Sequence, residues 1–496
     1  MLTPTPSEPR AKGRRRLSLR PRRLLTDDAF QRVAGAPRLP GNRLRVLRDA
    51  RENYPAWIAA IESARRTVHL EMYIVHNDGA GRRFRDLLAE KARSGVEVRV
   101  LYDWFGSLRL IGSGMWKPLV AAGAAVRAAS PPSLDGPLGW ISRDHRKLLT
   151  VDGTLAFISG LCIGDAWLGD LERGLARWRD TGVQFWGPAV ADAEAAFAAA
   201  WALAGRPLAP EEVPRREDIP PAGDVAMRVI ATSPDTAGLY RMDLLIAAAA
   251  RQRLWLTDAY FMATVSYRQA LAAAARDGVD VRLLVPHASD IEWIANVSRT
   301  MYRSLLEAGV RIFEWNGPMV HAKTAVADGR WTRVGSTNLN LSSWIGNWEL
   351  DVAIEDAGVA KEMEAMYLED LEGATEIVLT RRRKVRPERS AGHAERAAGG
   401  STSRVLAETA RMGSVVGAAV RGHRALGRPE ASSLVTMAVV LLALALIAIL
   451  LPRTVAYTLG GLLAATAAFL LVRGLRLRFG PDPAESDDAA AGDSDV

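Results

Sequence analysis

The chain has 496 residues, 49% of them hydrophobic and 24% charged. These are globular proportions with room for two or three domains and a sizeable core, and they exclude a wholly disordered or fibrous chain. A single cysteine, Cys162, excludes a disulfide framework within the chain, and a net charge of +8 favours an anionic partner, either nucleic acid or an anionic lipid surface.

Residues 1–39 read as a disordered basic arm, with Arg10, Lys12, Arg14, Arg15, Arg16, Arg20, Arg22 and Arg23 set among prolines. No apolar stretch follows that basic run, so no signal peptide is expected. Residues 40–205 predict a first α/β unit. RLRVL, TVHLEMYIV and VEVRVLYD are strand signals, YPAWIAAIESA has apolar residues at helical spacing, and DGAGRRFRDLLAEKARSG reads as a helix ending at Gly95. HRKLLTVDG and TLAFISG predict a hairpin. A linker rich in proline and charge follows at 206–224.

Residues 225–380 repeat this order. RLWLTDAYF echoes TVHLEMYIV, and AAAARDGVDVRLLVP echoes EKARSGVEVRVLYD almost residue for residue. An internal duplication of this kind predicts a pseudo-twofold dimer within one chain, with a single site between its halves. A basic linker at 381–433 leads to two charge-free apolar runs, 434–451 and 454–472. As helices each would span about 27 Å, enough for a hydrocarbon core. Pro452 and Arg453 mark a tight turn between them, so a transmembrane helical hairpin is expected. Arg421, Arg424 and Arg428 precede it and Arg473, Arg476 and Arg478 follow, which puts both flanks and the α/β repeats on the cytoplasmic side. Residues 473–496 read as an acidic, disordered tail.

The chemistry concentrates in the two hairpins. His145, Lys147 and Asp152 share the spacing His-x-Lys-x4-Asp with His321, Lys323 and Asp328. In a strand, the histidine and lysine of such a motif project from one face. An imidazole beside an ammonium suits a phosphoryl group: one supplies a nucleophile or a proton, and the other neutralises the oxygens. After the second motif, Gly335 and Ser336 allow close approach of the backbone to a ligand, and Ser336 and Asn338 can hydrogen-bond a phosphate. A lone motif of this type is often no more than a strand-edge histidine beside a solvated lysine. Two copies, each leading into a small-residue turn, argue against that. No His/Asp/Glu cluster has metal-ligand spacing, so neither metal nor other cofactor is expected.

With the duplicated HxKx4D and the GSTN at 335–338, the chain resembles the phospholipase D superfamily, and within it the bacterial cardiolipin synthases. LEMYIVHNDGAGRRFRDLLAEKARSGVEVRVLYDWFGS, HRKLLTVDG, IGDAWLGD and WRDTGVQFWGP carry that resemblance, which covers about 40–380. It implies a duplicated α/β sandwich of two repeats with one shared site, to which the helical hairpin is appended. It also implies phosphodiester exchange through a phosphohistidine, and it favours His145 as nucleophile and His321 as acid/base, an assignment the residues themselves leave open. Lys147 and Lys323 would hold the non-bridging oxygens. Asp180 and Glu349 would support the histidine of the opposite half, Asp180 with His321 and Glu349 with His145. Asp152 and Asp328 complete the motif and are expected to brace the hairpin turns. Glu71, near a strand centre, is expected to face the site. Cys162 stands where the family often has Asn, Asn340 where Asp is common, and Ser342 where many relatives have Arg.

The implied function is transfer of a phosphatidyl group between phosphatidylglycerol molecules at an anionic membrane surface. A phospholipase D-type hydrolase or a nuclease of the same superfamily is the alternative. No nucleic-acid partner is expected, because no basic stripe is interleaved with aromatics for base stacking.

Overall fold

The computed structural model describes residues 27–131, 142–169, 176–234 and 236–379. The apolar runs at 434–451 and 454–472, the basic linker after 380 and the acidic tail lie outside those residues. Among the described residues, no helix is long and apolar enough to cross a membrane.

The first half runs through α1 (Asp27–Ala34), β1 (Leu39–Arg48), α2 (Asp49–Ser63), β2 (Thr67–Met72), α3 (Gly79–Arg93) and β3 (Glu97–Asp103). It continues with α4 (Lys117–Ala121), β4 (Ala125–Ala129), β5 (Lys147–Val151), β6 (Leu155–Ser159), α5 (Asp165–Leu168), β7 (Thr181–Trp186) and α6 (Ala189–Leu203). The second half begins β8 (Val225–Thr232), α7 (Gly238–Ala249), β9 (Arg253–Thr257), α8 (Val265–Arg276), β10 (Asp280–Pro286), α9 (Glu292–Glu307) and β11 (Arg311–Trp315). Then come β12 (Thr324–Ala327), β13 (Trp331–Gly335), β14 (Glu349–Glu355), α10 (Ala357–Glu372) and β15 (Ala374–Ile377).

The echoing segments fold alike because their local signals match. Asp78 caps α3 by accepting from the Gly81 amide, and Thr264 caps α8 by accepting from the Tyr267 amide. After these helices Gly95 and Gly278 both take φ +92, a left-handed turn that suits glycine. The parallel strands they lead into, β2–β3 and β9–β10, are almost wholly buried, as expected of a sheet covered on both faces.

The fifteen strands of the described residues form one sheet in the order β15-β11-β10-β9-β12-β13-β14-β8-β1-β7-β6-β5-β2-β3-β4. Read outward from the middle, each half repeats the other, with β15 as an extra edge in the second. The seam is the antiparallel pair β1–β8, where Leu39 faces Met227 and Asn42 faces Val225, with an irregularity between. The Asn42 side chain closes that gap, donating to the carbonyls of Leu39 and Val225 and accepting from the Ala189 amide. Each half buries its own core under α2–α3 or α7–α8. A third core is common to both: Phe185, Phe197 and Trp201 of the first half join Val229, Val352 and Met363 of the second.

One expectation changes. Residues 27–36 belong to the folded unit and not to a disordered arm. Ala34 and Ala36 join the second half's core, and Gly238 at the start of α7 lies so close to the Ala34 carbonyl that a Cβ there would sit 2.6 Å from it. The linker at 206–224 is packed down: Arg216 pairs with Asp192 at 2.6 Å, Glu212 with Arg99, and the Ala222 amide donates to the Gly41 carbonyl.

Candidate active site

Met72, the last residue of β2, pairs with Lys147, the first of β5. The HxK residues therefore sit at the carboxyl ends of the parallel strands, where open α/β sheets place their ligands. His145 and His321 lie just before β5 and β12, and not within them. The reason is a backbone exchange between halves. The His145 amide donates to the Trp348 carbonyl and the Trp348 amide to Arg143. On the other side the His321 amide donates to Arg179 and the Arg179 amide to Met319. Each histidine is thus anchored by an isolated backbone bridge to the opposite half before its own strand begins.

The side chains cross the same boundary. His145 Nδ1 is 2.9 Å from Glu349 Oε2, and His321 Nδ1 is 2.8 Å from Asp180 Oδ2. Both pairs are buried. Lys147 and Lys323 each donate to the carbonyl of the histidine two residues earlier, which holds the ammonium beside the imidazole. The charges of Lys147, Lys323 and His321 all act on His145, so the two motifs form one electrostatic unit.

The supports differ, and glycine explains how. Gly160 and Ser336 occupy corresponding places after β6 and β13. A Cβ at Gly160 would collide with Asp180, so that carboxylate packs directly on the backbone. At the other place Ser336 Oγ donates to Glu349 Oε2 at 2.6 Å and accepts from the Leu350 amide at 2.9 Å. Asp180 is fixed further by Asp49, whose Oδ1 accepts the Asp180 amide at 2.9 Å.

Titration follows this asymmetry. Burial, reinforced by Lys147 and Lys323, pushes the His145 imidazole well below its ordinary value. Burial also raises the Glu349 carboxyl to about 7, against the pull of Lys147 and the Ser336 hydroxyl. Near neutrality a neutral His145 therefore faces a carboxyl close to its midpoint, ionised above about 7 and protonated below. At the other histidine, burial pushes Asp180 up, but His321 and Lys323 outweigh it and leave Asp180 below the usual carboxylate range. His321 is lowered by burial and by Lys323, while Asp180 opposes both. Lys323 comes down to about 8 through burial and the nearby Lys147.

A pH profile should expose these groups. Below about 7, Glu349 gains a proton and can no longer accept from His145; above about 8, Lys323 loses its charge. The expected kcat/KM profile is a bell between those limits. Ser336→Ala removes a hydrogen bond that favours the carboxylate form, so the Glu349 value rises and the acid limb moves to higher pH. The expected displacement is about one pH unit, from a charged hydrogen bond worth about 1.5 kcal/mol. An acid limb that stays in place in the variant would show that Ser336 does not act through Glu349.

Other sequence-predicted residues take different places. Asp152 and Asp328 are at the far ends of β5 and β12, away from the histidines. Both have positive φ, 53° and 51°, and their carboxylates collect backbone amides from the preceding turn: Arg65, Arg66 and Thr67, or Arg251, Gln252 and Arg253. In these positions they brace the hairpins and do not reach the histidines. Ser336 has both its donor and acceptor engaged inside the protein, so it holds Glu349 instead of a phosphate. The amide of Gly335 is bound to the Lys323 carbonyl, and the Asp351 carboxylate fills the space where a Cβ would go. Glu71 is fully buried, with Arg146 3.7 Å away, and its shift to a higher value comes from burial and from Asp144. Of the expected substrate contacts, Asn338 keeps its buried side-chain oxygen, and Glu71 both of its carboxylate oxygens, without a hydrogen-bond partner.

Cys162 is buried, with its thiol pushed up by burial, and its carbonyl accepts from the Tyr54 hydroxyl at 2.7 Å. Asn340 caps the turn after GSTN through the Ser343 amide and the Tyr260 carbonyl. Ser342 is exposed. Among the described residues no group of three or more His, Cys, Asp or Glu could hold a metal ion.

Sequence reasoning missed the aromatic walls. The Tyr73 ring meets His145 edge-on at 4.6 Å, while Trp167, Trp178 and Tyr260 surround His321 at 5.8, 5.5 and 5.9 Å. The available signal was the echo itself, since LEMY and TDAY each end in the tyrosine that packs on a histidine.

Two repeats that exchange support for paired His-Lys motifs define a protein of the phospholipase D-like class. A family described as "Cardiolipin synthase, PLD-like domain" matches residues 57–167 and 245–371. Cardiolipin synthase A of Pseudomonas syringae pv. syringae (strain B728a) is 33% identical over 360 residues, covering 70% of this chain and 72% of that protein. Cardiolipin synthase of Geobacillus sp. (strain WCH70) is 32% identical over 352 residues, 70% of this chain and 69% of that one. A solved structure of phosphatidylserine synthase from Haemophilus influenzae Rd KW20 shares the fold, with a TM-score of 0.56, 14% identity and coverage of 71% and 91%. The chain belongs to the cardiolipin synthase family of phospholipase D-like proteins, and so to the phosphatidyltransferases.

Proposed function

We propose that the chain moves a phosphatidyl group from one phosphatidylglycerol to another through a phosphohistidine, forming cardiolipin and releasing glycerol. The carrying observation is the reciprocal support: each imidazole is held at Nδ1 by a carboxylate of the other half, which leaves Nε2 as the reacting nitrogen. In the first step His145 Nε2 attacks phosphorus, the bond to the glycerol oxygen breaks, and His321 gives that oxygen its proton. In the second, His321 takes the proton from a hydroxyl of the incoming phosphatidylglycerol, whose oxygen displaces His145. The division of labour follows the electrostatics. His145 is held neutral by burial beside a carboxylate able to take its Nδ1 proton, as a nucleophile requires, whereas at His321 the ionised Asp180 opposes the lowering by burial and Lys323 and keeps that ring nearer its cationic form, as suits an acid. Lys147 and Lys323 neutralise the non-bridging oxygens without a metal.

The test is product analysis with the full chain and phosphatidylglycerol vesicles. Equimolar glycerol and cardiolipin are expected, at a rate unchanged by excess chelator. Phosphatidic acid without cardiolipin would favour the hydrolase reading. Chelator inhibition relieved by a divalent ion would sink the lysine-only neutralisation.

The same reading gives the apolar runs at 434–451 and 454–472 the role of a membrane anchor, with the repeats on the cytoplasmic side. A reporter active only in the cytoplasm is expected to work when fused after residue 480, and one active only outside when inserted at Pro452. The reverse pattern would invert the orientation.

A further inference from the structure

The proposed reaction makes no use of the loop that follows β3 and runs into α4, residues 104–120. This loop leaves the sheet at the edge where β5 begins, and it is tied to the catalytic segment from both sides. Asp103 accepts from the amides of Phe105 and Gly106 with one oxygen and from the Asp144 amide, next to His145, with the other at 2.8 Å. Ser107 Oγ accepts from the Val75 amide at 3.1 Å and donates to the carbonyl of Tyr73, whose ring packs on His145. The Arg143 guanidinium lies 3.6 Å over the Phe105 ring. These bonds give the loop little freedom to fold inward.

It nevertheless turns large apolar side chains to solvent. Phe105 is 41% exposed, Leu108 44%, Ile111 58% and Val120 54%. Clustered exposed apolar residues beside a site mark a surface that another body covers. Charge says which body. From 104 to 131 the chain has no Asp or Glu, while Arg109 and Lys117 are exposed among the apolar residues. Apolar tips interleaved with cations match the boundary between anionic headgroups and acyl chains.

We propose that residues 104–120 are a docking loop for an anionic lipid bilayer. Phe105, Leu108 and Ile111 enter the headgroup–acyl boundary, and Arg109 and Lys117 meet lipid phosphates. Through Asp103 and Ser107 the loop then sets the depth at which the His145 segment meets a phosphodiester. This inference rests on the reading that the substrate is a phospholipid.

Cys162 is 1% exposed, so a thiol introduced on the surface can be labelled selectively. The full chain with Leu108→Cys, carrying an environment-sensitive fluorophore, is placed in phosphatidylglycerol vesicles containing lipid brominated on its acyl chains. Ser94→Cys, exposed at the opposite edge of β3, is the control, because any anchor elsewhere in the chain would bring both probes near the bilayer. Quenching at Leu108→Cys is expected to exceed that at Ser94→Cys severalfold and to weaken in phosphatidylcholine. Equal quenching at the two positions overturns the docking role, and equal quenching in the two lipids overturns the anionic preference. The double variant Leu108→Asp with Ile111→Asp is expected to raise KM for vesicles about tenfold while leaving turnover of dispersed short-chain phosphatidylglycerol within about twofold. A dimer becoming monomer in that variant, with vesicle kinetics unchanged, would identify a second copy as the occupant and reject the bilayer. Should the wild-type chain turn over no phosphatidylglycerol at all, the functional reading fails, and the quenching measurement still decides the docking.

Discussion

Replacing either His145 or His321 with alanine is expected to lower phosphatidyl transfer at least about a thousandfold, the upper range for losing a positioned proton-transfer or nucleophilic group. In the proposed reaction both imidazoles act in both steps, so the double variant should be scarcely worse than either single one. A chromogenic phosphodiester with a good leaving group separates the roles. Its departure needs little help from an acid, so His321→Ala should still give a burst of leaving group and trap a phosphohistidine. His145→Ala should give none. A burst from His145→Ala with none from His321→Ala would exchange the two assignments. Retention of a tenth of the wild-type rate by either variant would refute a site shared between the halves. Thermal melts belong beside the kinetics, because each substitution leaves a buried carboxylate, Asp180 or Glu349, without its partner.

Neutralising the supporting acids is expected to cost about a hundredfold to a thousandfold in kcat, with different pH signatures for the two. In Glu349→Gln the amide oxygen can still accept from His145 Nδ1, so orientation survives. The group that titrates at about 7 is gone, and the acid limb it sets should vanish. Asp180→Asn removes a negative charge that holds Lys323 up. Without it the lysine titrates below about 8, and the alkaline limb should move toward neutrality. Substituted enzymes whose two limbs both stay in place would show that the carboxylates only position the imidazoles and take no electrostatic part.

Much of this was readable in the chain because the signals are local and doubled. The ARSGVEV and ARDGVDV echoes bring helix end, left-handed glycine and buried strand in one stretch, and the structure gives both glycines the same φ. The His-x-Lys-x4-Asp spacing located both motifs. What stayed hidden depends on partners far away in sequence. The histidines precede their strands because their amides bond to Trp348 and Arg179, residues that no local pattern connects with them. Ser336 looked like a phosphate ligand because its side chain suits that role, yet Glu349 claims it. The motif aspartates share the spacing, and what the spacing could not show is the positive φ and the three backbone amides that fix each at the opposite end of its strand from the histidine. Residues 27–36 read as the end of a charged arm, and their role becomes visible only where α7 presents Gly238 to them.

The seam between β1 and β8 gives the molecule a built-in gauge of its own integrity. Each half folds around a private core, but neither supports its own motif histidine: the acid, and the carbonyl that fixes the imidazole's backbone, belong to its neighbour. The β1–β8 pairing has only two regular residue pairs and relies on the side chain of Asn42 to close its gap, so the shared core of Phe185, Val229 and Val352 and the backbone bridges at the histidines do most of the joining. A breath at that joint, too small to melt either core, pulls both imidazoles from their counter-charges at once. Turnover is therefore expected to fade with heat or denaturant before the bulk of the helices and strands is lost, so that the enzyme goes silent while it still looks folded.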